Sequence, residues 1–553
     1  MTVNVLNELR KTLTDIVTEM GYGEMIATDP IVLEIPRDKS FGDYATNIAM
    51  RLAKPMRMNP VAIANQILAK IPQEELHLTD IKVAGAGFIN FTFDATYLMG
   101  VVEDVINLKE QYGNVNVGNG QKVNLEFVSA NPTGYLHVGH GRGAAFGDSL
   151  ARIMTKAGFI VHREHYVNNA GNQITNLALS IFERYKEQLG LPFQMEEGFY
   201  FGKEIIELAK ELVNQYGDEL LSYDEKKRLS FLRKYGTEAL LANLKSDLKT
   251  FGVEFDTWFS EQSLYDNHEV ENVLRTLTEK GYTYEQDGAV WLRTSLYGDE
   301  KDRVIIKSDG SYTYVLPDIA YHVNKLNRGF DHLIDVLGAD HHGYIERIKA
   351  GVEMAGGKSG LIDIEILQMV RVIEDGVEIK MSKRSGKAIT LADLIEQVGT
   401  SALRYFYVSK SLGTHMDLDL DLMRKQSNEN PVFYAQYAHA RICSVIKNLA
   451  KNNIPYQLTT VFDKINHQKV KGICKTLLKY PSIIEEAASR RLVHKVTQFI
   501  DELSYELHSY YNDEKIITDN KEETLQKVTV LTAVKTVLKD ALSLIGVEAP
   551  EAM

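Results

Sequence analysis

Two histidines, His137 and His140, stand three residues apart around a glycine in ANPTGYLHVGHGRGAAFGD (residues 130–148), where a strand-like run gives way to a helix-like one. A helix start carries unpaired backbone amides and the positive end of the helix dipole, which favours a phosphate there. Imidazoles at that point can donate hydrogen bonds to phosphate oxygens as charge builds in a transition state. Gly139 and Gly141 would let a flat base or a phosphate approach the backbone closely. Two plainer readings compete. The pair could bind a metal, but no thiolate or HExxH-type partner completes a ligand set. The two residues could also simply begin a helix. A second cluster, KMSKR at Lys380–Arg384, lies in the glycine-flanked loop EDGVEIKMSKRSGK. A lysine-rich loop can clamp a polyphosphate that is strongly charged only transiently. Alone, it would be an ordinary solvated turn.

The elements around these clusters predict a multidomain α/β protein. An amphipathic helix opens the chain. The polar loop Pro36–Asp43 leads to a helical stretch, ATNIAMRLAK, and the alternating pair IKVAGAGFINFTF closes an α+β unit of the first hundred or so residues. YGNVNVGNGQ marks a boundary near residue 115. From Lys122 the rhythm becomes strand–helix–strand: KVNLEFVSA, a helix from Val138 to Gly158, FIVHREHYV, then a helix containing NQITNLALSIFERY. That rhythm implies a right-handed crossover and a Rossmann-like parallel sheet. Residues 185–290 are rich in charge and helical in period, as an insertion would be. The rhythm resumes with SYTYVL, a helix opening at Pro317, the strand DHLIDVLGAD, a helix after Gly343, and one more strand, IDIEILQMVRV. From about residue 400 the chain reads as an all-α helical bundle.

Bulk properties narrow the class. A chain of 553 residues needs several cores. No apolar run approaches a membrane span, and MTVNVLNELRKTL does not resemble a signal peptide. The two cysteines, Cys443 and Cys474, have no paired spacing, so buried thiols, a cytoplasmic location and no zinc are expected. The net charge of −13 is uneven: residues 431–553 hold 16 Lys+Arg against 14 Asp+Glu, a net of +2 that leaves −15 for the rest. The C-terminal part is therefore the better candidate for a polyanion.

HVGH followed by KMSKR in one α/β domain resembles the paired signatures of class I aminoacyl-tRNA synthetases. The surrounding text is similar to arginyl-tRNA synthetases in particular. EFVSANPTGYLHVGHGRGAAFGD resembles that family's extended first signature, and YVNNAGNQI the stretch after it. YTYVLPDIAYH, GADHHGY, SALRYFYVSKS and NPVFYAQYAHAR are similar to further family segments, as are FGDYATNIAM and GAGFINF near the N-terminus. The resemblance spans essentially the whole chain. One departure is the ending APEAM, where Ala552 replaces the arginine of the family's usual proline–glutamate–arginine–methionine.

The resemblance implies residues 1–115 as an N-terminal α+β domain contacting tRNA and 116–400 as the class I catalytic domain with an inserted region near 185–290. Residues 401–553 would form the helical anticodon-binding domain. It implies ATP with Mg²⁺, L-arginine and an arginine tRNA as partners of a monomeric ligase that touches no membrane. His137, Gly139 and His140 would contact ATP, as would Gly338, Asp340 and His341 at a later strand end. Lys380, Met381, Ser382 and Lys383 would also bind ATP, Lys380 and Lys383 holding the leaving pyrophosphate, with His137, His140, Lys380 and Lys383 as the catalytic set. A planar guanidinium calls for a bidentate anion. Asp318 is the candidate, with Tyr314 adding a hydroxyl or a ring face. Glu126, Ser129 and Asn131 would receive the amino acid's ammonium and carboxylate. Tyr434, Tyr437, His439 and Arg441 are typed to stack and bond unpaired anticodon bases, although YAQYAHARI could equally be a helix-packing face. Another class I synthetase, a small-molecule nucleotidyltransferase and a non-catalytic synthetase-like RNA-binding protein are the alternatives. A cysteine-specific enzyme would need a thiolate zinc site, a nucleotidyltransferase would rarely need the helical C-terminus, and a non-catalytic relative would usually have lost signature residues.

Overall fold

The computed structural model describes residues 5–36, 38–379 and 389–553. The chain opens on α1 (Val5–Glu19), which buries Leu9, Leu13, Ile16 and Val17 at helical spacing, followed by α2 (Gly23–Thr28). The helix expected from Ala45 begins only at Ile48, because Tyr44–Thr46 form a short strand, β1. Then come α3 (Ile48–Met56) and α4 (Pro60–Leu68), the latter capped by the Asn59 side chain with proline at its first position. β2 (Leu78–Ala84) and β3 (Phe88–Phe93) pair antiparallel, with β3 central. α5 (Ala95–Leu98) and α6 (Gly100–Leu108) close this unit.

The middle of the chain builds a parallel sheet. β4 (Lys122–Glu126), α7 (Val138–Lys156) and β5 (Ile160–Val167) are its first crossover unit. Next come α8 (Asn172–Gln188), α9 (Lys203–Tyr216) and α10 (Glu225–Thr250). The region near 185–290 is helical only in part, because β6 (Thr257–Ser260) pairs parallel with β5 as an outer strand of the main sheet. After α11 (Glu261–Asp266) and α12 (Glu269–Glu279), β7 (Thr283–Gln286), β8 (Ala289–Leu292) and β9 (Arg303–Ile306) form a small antiparallel sheet. SYTYVL is not a strand: Tyr312 makes a single bridge to Ile306, and α13 (Val315–Asn327) has already begun. Pro317 sits in its first turn, where its missing N–H costs nothing. β10 (His332–Gly338), α14 (Ile345–Ala355) and β11 (Ile362–Leu367) complete the sheet, in the order β11-β10-β4-β5-β6.

The single strand expected over IDIEILQMVRV is broken after Leu367. Val370–Glu374 (β12) joins β13 (Val377–Glu378) in a separate small sheet. The break has a visible anchor: fully buried Arg142 of α7 donates to the carbonyls of Gln368 and Ser411, each at 2.9 Å. α15 (Leu391–Val398), α16 (Thr400–Val408), β14 (Met416–Asp419, paired parallel with β12) and α17 (Leu420–Arg424) lead into the bundle. Its helices are α18 (Pro431–Lys451), α19 (His467–Ser489), α20 (His494–Asp513) and α21 (Lys521–Leu544). Asn430, Asn466 and Asn520 cap α18, α19 and α21 through their side chains. Cys443 and Cys474 are buried free thiols. Asp43 of the N-terminal unit pairs with Lys471 (2.8 Å) and Lys475 (3.2 Å) of α19, and Tyr112 donates to the Leu477 carbonyl. Among the described residues, no helix is long and apolar enough to cross a membrane.

Candidate active site

The site lies beyond the carboxyl ends of the parallel strands, where an open α/β sheet leaves a crevice. His137 is the N-cap of α7, and its Nδ1 accepts the Gly139 amide at 3.2 Å. His140, one turn on, accepts the His137 amide on its own Nδ1 at 3.2 Å. The rings stack with centroids 3.7 Å apart. With both Nδ1 atoms accepting backbone amides, the ring tautomer this implies has its proton on Nε2. The cap therefore orients two imidazole donors where the helix dipole favours phosphate. Gly141 has a packing role. A side chain there would meet Leu391 and the Tyr407 hydroxyl at 2.8 Å, so the glycine lets α7 pack closely against them.

The loop after β4 is tightly held. Ser129 Oγ donates to Glu126 Oε1 (2.8 Å) and accepts the Tyr166 amide (3.1 Å), while Asn131 Nδ2 donates to Gln173 (2.7 Å). Val128 and Ser129 take φ values of 69° and 40°, unusual for residues with a side chain. The second oxygen of Glu126 takes the Nζ of fully buried Lys325 at 2.5 Å. Burial nonetheless outweighs that lysine and raises the Glu126 carboxyl above its ordinary value.

Asp318 lies in the first turn of α13 and accepts the Tyr344 hydroxyl at 2.6 Å. Beside it stands a residue that the sequence reading missed. Glu261, at the head of α11 just after β6, is only 7% exposed and hydrogen-bonds the hydroxyls of Tyr166 and Tyr265. Burial and the Asp318 charge push its carboxyl up to about 7. Two carboxylates and three phenols thus converge, an arrangement suited to a flat, delocalised cation with several N–H donors. Tyr314 is brought to the rim rather than the interior, its side chain being 69% exposed.

On the nucleotide side, Gly338 ends β10 and caps the short helical turn after it. The side chains of Asp340 and His341 lie outside what is described, as do Lys380, Met381, Ser382 and Lys383 altogether. The described chain resumes at Ile389, and the next residue, Thr390, forms a β-bridge with His137. The Leu391 amide donates to the Leu136 carbonyl at 2.7 Å. Among the described residues, no group of three or more His, Cys, Asp or Glu could hold a metal ion.

In the bundle, Tyr434 and Tyr437 flank the His508 ring at 4.3 and 5.8 Å, and Arg441 lies 3.5 Å over Tyr511. These groups form a partly exposed aromatic strip along α18 and α20. His439 belongs to the other reading of that stretch. It is 2% exposed and bonds the Pro550 carbonyl at 2.8 Å, and with Gln436, bonded to the Glu548 carbonyl, it docks the C-terminal tail. Tyr434, Tyr437 and Arg441 of the aromatic strip and the two tail-docking residues all belong to α18.

Comparison with known proteins agrees with this geometry over the full chain. The family model "Arginyl tRNA synthetase N terminal domain" matches residues 5–93, "tRNA synthetases class I (R), catalytic domain" matches 101–411, and "DALR anticodon binding domain" matches 435–553. The arginine–tRNA ligase of Bacillus subtilis is 48% identical over 546 residues, covering 99% of this chain and 98% of that protein. The enzyme of Geobacillus kaustophilus is 46% identical over all of both chains. A solved structure titled as a putative arginyl-tRNA synthetase from Campylobacter jejuni superposes with a TM-score of 0.76 at 35% identity, over 83% of this chain and all of that one. The Thermus thermophilus arginyl-tRNA synthetase shares the fold, with a TM-score of 0.75 at 19% identity over 99% of this chain and all of that one. The chain belongs to the arginine–tRNA ligase family of class I aminoacyl-tRNA synthetases.

Proposed function

We propose that the chain joins L-arginine to its tRNA by way of an arginyl-adenylate made at this site. The observation that carries the reading is the acidic, phenol-lined pocket of Asp318 and Glu261, at the same sheet edge as the histidine-capped start of α7. Asp318 forks onto the guanidinium of arginine, and Glu261 supplies the second negative charge. Ser129 and Asn131 orient the ammonium and carboxylate, and Glu126 acts through Ser129 rather than on the substrate. The arginine carboxylate attacks the α-phosphorus of ATP, the bond to the β-phosphate oxygen breaks, and pyrophosphate leaves. A ribose hydroxyl of the terminal adenosine of the tRNA then takes the arginyl group and AMP leaves. Neither step needs a covalent enzyme intermediate, so positioning and charge stabilisation are the chain's contribution.

His137 and His140 donate to the phosphate oxygens as charge develops there. Lys380 and Lys383 receive the pyrophosphate, Met381 and Ser382 complete that segment, and Gly139, Gly338, Asp340 and His341 border the nucleotide. Magnesium enters as part of the ATP substrate, held mainly by phosphate oxygens and water. The N-terminal unit contacts the body of the tRNA, and Tyr434, Tyr437 and Arg441 stack and bond anticodon bases. The enzyme works as a monomer in the cytoplasm. The test is exchange of labelled pyrophosphate into ATP, run with each of the twenty amino acids, with and without total tRNA. Arginine-specific exchange that requires tRNA is expected, the RNA completing the site by induced fit. Brisk exchange with any other amino acid would refute the assignment, and arginine exchange without RNA would refute only the requirement for tRNA.

A further inference from the structure

Three carboxylates stand in a row beneath the pocket. Glu126 on β4 is in register with Glu164 on β5 and with Asp335 on β10, and partners in register on adjacent parallel strands share a face. Neighbouring strands are about 4.8 Å apart, close enough for such charges to repel. Helix α13 and its C-cap, Arg328, cross the row and answer it with four side chains. Lys325 Nζ reaches Glu126 at 2.5 Å and Asp335 at 2.7 Å. His322 Nε2 bonds Asp335 at 2.7 Å, Arg328 grips both oxygens of Glu164 at 2.6 Å, and the Tyr321 hydroxyl donates to Glu164 at 2.7 Å. Burial would raise Glu164, yet Arg328 and Lys325 prevail and hold it below its ordinary value.

The row lies just upstream of the site on every strand. Ser129 follows Glu126 by three positions, Tyr166 follows Glu164 by two, and Gly338 follows Asp335 by three. On the helix side, His322 Nδ1 is 2.7 Å from the carbonyl of Asp318 itself. Buried ion pairs seldom add stability over apolar residues of the same size, so a different return is expected from so many. We propose that this ion row is the gauge of the amino-acid pocket, with Lys325 a positioning residue that fixes the span between the Asp318 carboxylate and the Ser129 loop. The pocket then measures the length of the substrate side chain as well as its charge. The inference rests on the assignment of Asp318 to the guanidinium.

The test compares arginine with homoarginine, one methylene longer, in tRNA charging. For Lys325→Met, kcat/KM for arginine should fall about 10- to 100-fold, the usual cost of misplacing a reacting group by an ångström or less. The KM for ATP should stay within about twofold, and the preference for arginine over homoarginine should shrink roughly tenfold. A structural role alone would lower the active fraction and leave that preference intact, and an unchanged preference overturns the proposal. The double variant Lys325→Met/Glu126→Gln removes the unpaired acid; it should regain melting temperature without regaining the preference, and it serves as the test should the single variant not fold. Asp318→Asn, measured alongside, separates the two ideas. An unchanged arginine KM there discards the guanidinium assignment, whereas a raised KM with full discrimination in the Lys325 variants discards only the gauge.

Discussion

At Glu261, burial and the nearby Asp318 charge hold the carboxyl near 7, so the empty pocket favours one proton that the substrate cation displaces. The folded-state value lies above the ordinary 4.5. Its contribution to stability is therefore fully present below pH 4.5 and lost as pH rises through about 7. Arginine binding should pull the other way, releasing a proton and tightening as pH rises from 6 to 8. Titration calorimetry in two buffers of different ionisation enthalpy would reveal that proton. Glu261→Gln should abolish the pH dependence, weaken arginine by about 1.5–3 kcal/mol, and raise the melting temperature of the empty enzyme above pH 7. An unaltered pH profile in that variant would remove Glu261 from the pocket. The placing of the histidine pair at a helix start was legible in the sequence because a short motif marks it, whereas Asp318 was singled out only through the resemblance to the family. Glu261 was not, since it follows a four-residue strand with no alternation to betray it, inside a stretch whose overall period is helical. The pairing of Glu126 with Lys325 was not legible, because Lys325 lies 199 positions away in the chain.

Among the elements, α7 does most to bring the motifs together. Two of its glycines, Gly141 and Gly147, are spacers that let the helix pack closely. At Gly147 an added side chain would overlap Phe127 beyond β4, and at Gly141 it would meet Leu391 and Tyr407 at 2.8 Å. Tyr407 in turn donates to the Val138 carbonyl at 2.9 Å, so the histidine-bearing turn is fixed from two sides. Gly141→Ala gains about 1 kcal/mol of helix propensity but meets an overpacking cost of about 1–3 kcal/mol. The variant should melt below the wild type and lose exchange activity. A melting point at or above wild type would show that the turn has room. Strong periodicity made α7, β4, β5 and β10 readable from the residues alone. The break after β11 was not readable, because it depends on Arg142 reaching two carbonyls from another part of the chain.

At the scale of the molecule, one buried side chain joins three regions. Arg404 on α16 donates to Asp148 of α7 at 2.6 Å, to the Phe251 carbonyl beyond α10 at 3.1 Å, and to the Ile545 carbonyl beyond α21 at 2.9 Å. Lysine could not serve three directions from one planar group. Arg404→Met leaves Asp148 buried without this partner, a loss of about 3–5 kcal/mol for a broken buried pair. A scanning calorimetry trace should then show the helical bundle melting apart from the catalytic sheet. A single transition at the wild-type temperature would mean that the domains are coupled elsewhere.

The docking of Asp43 onto Lys471 and Lys475 has a consequence for how the molecule is made. The two sides of that contact are about 430 residues apart in the chain. At about 5–20 residues per second, a ribosome needs roughly 20–90 s to bridge them. Throughout that interval the nascent N-terminal unit displays the face that will later receive α19, including the acid at Asp43 and the hydroxyl of Tyr112 that awaits Leu477. This unit, made long before the bundle, is thus finished only after it, and a holding chaperone has a long opportunity there.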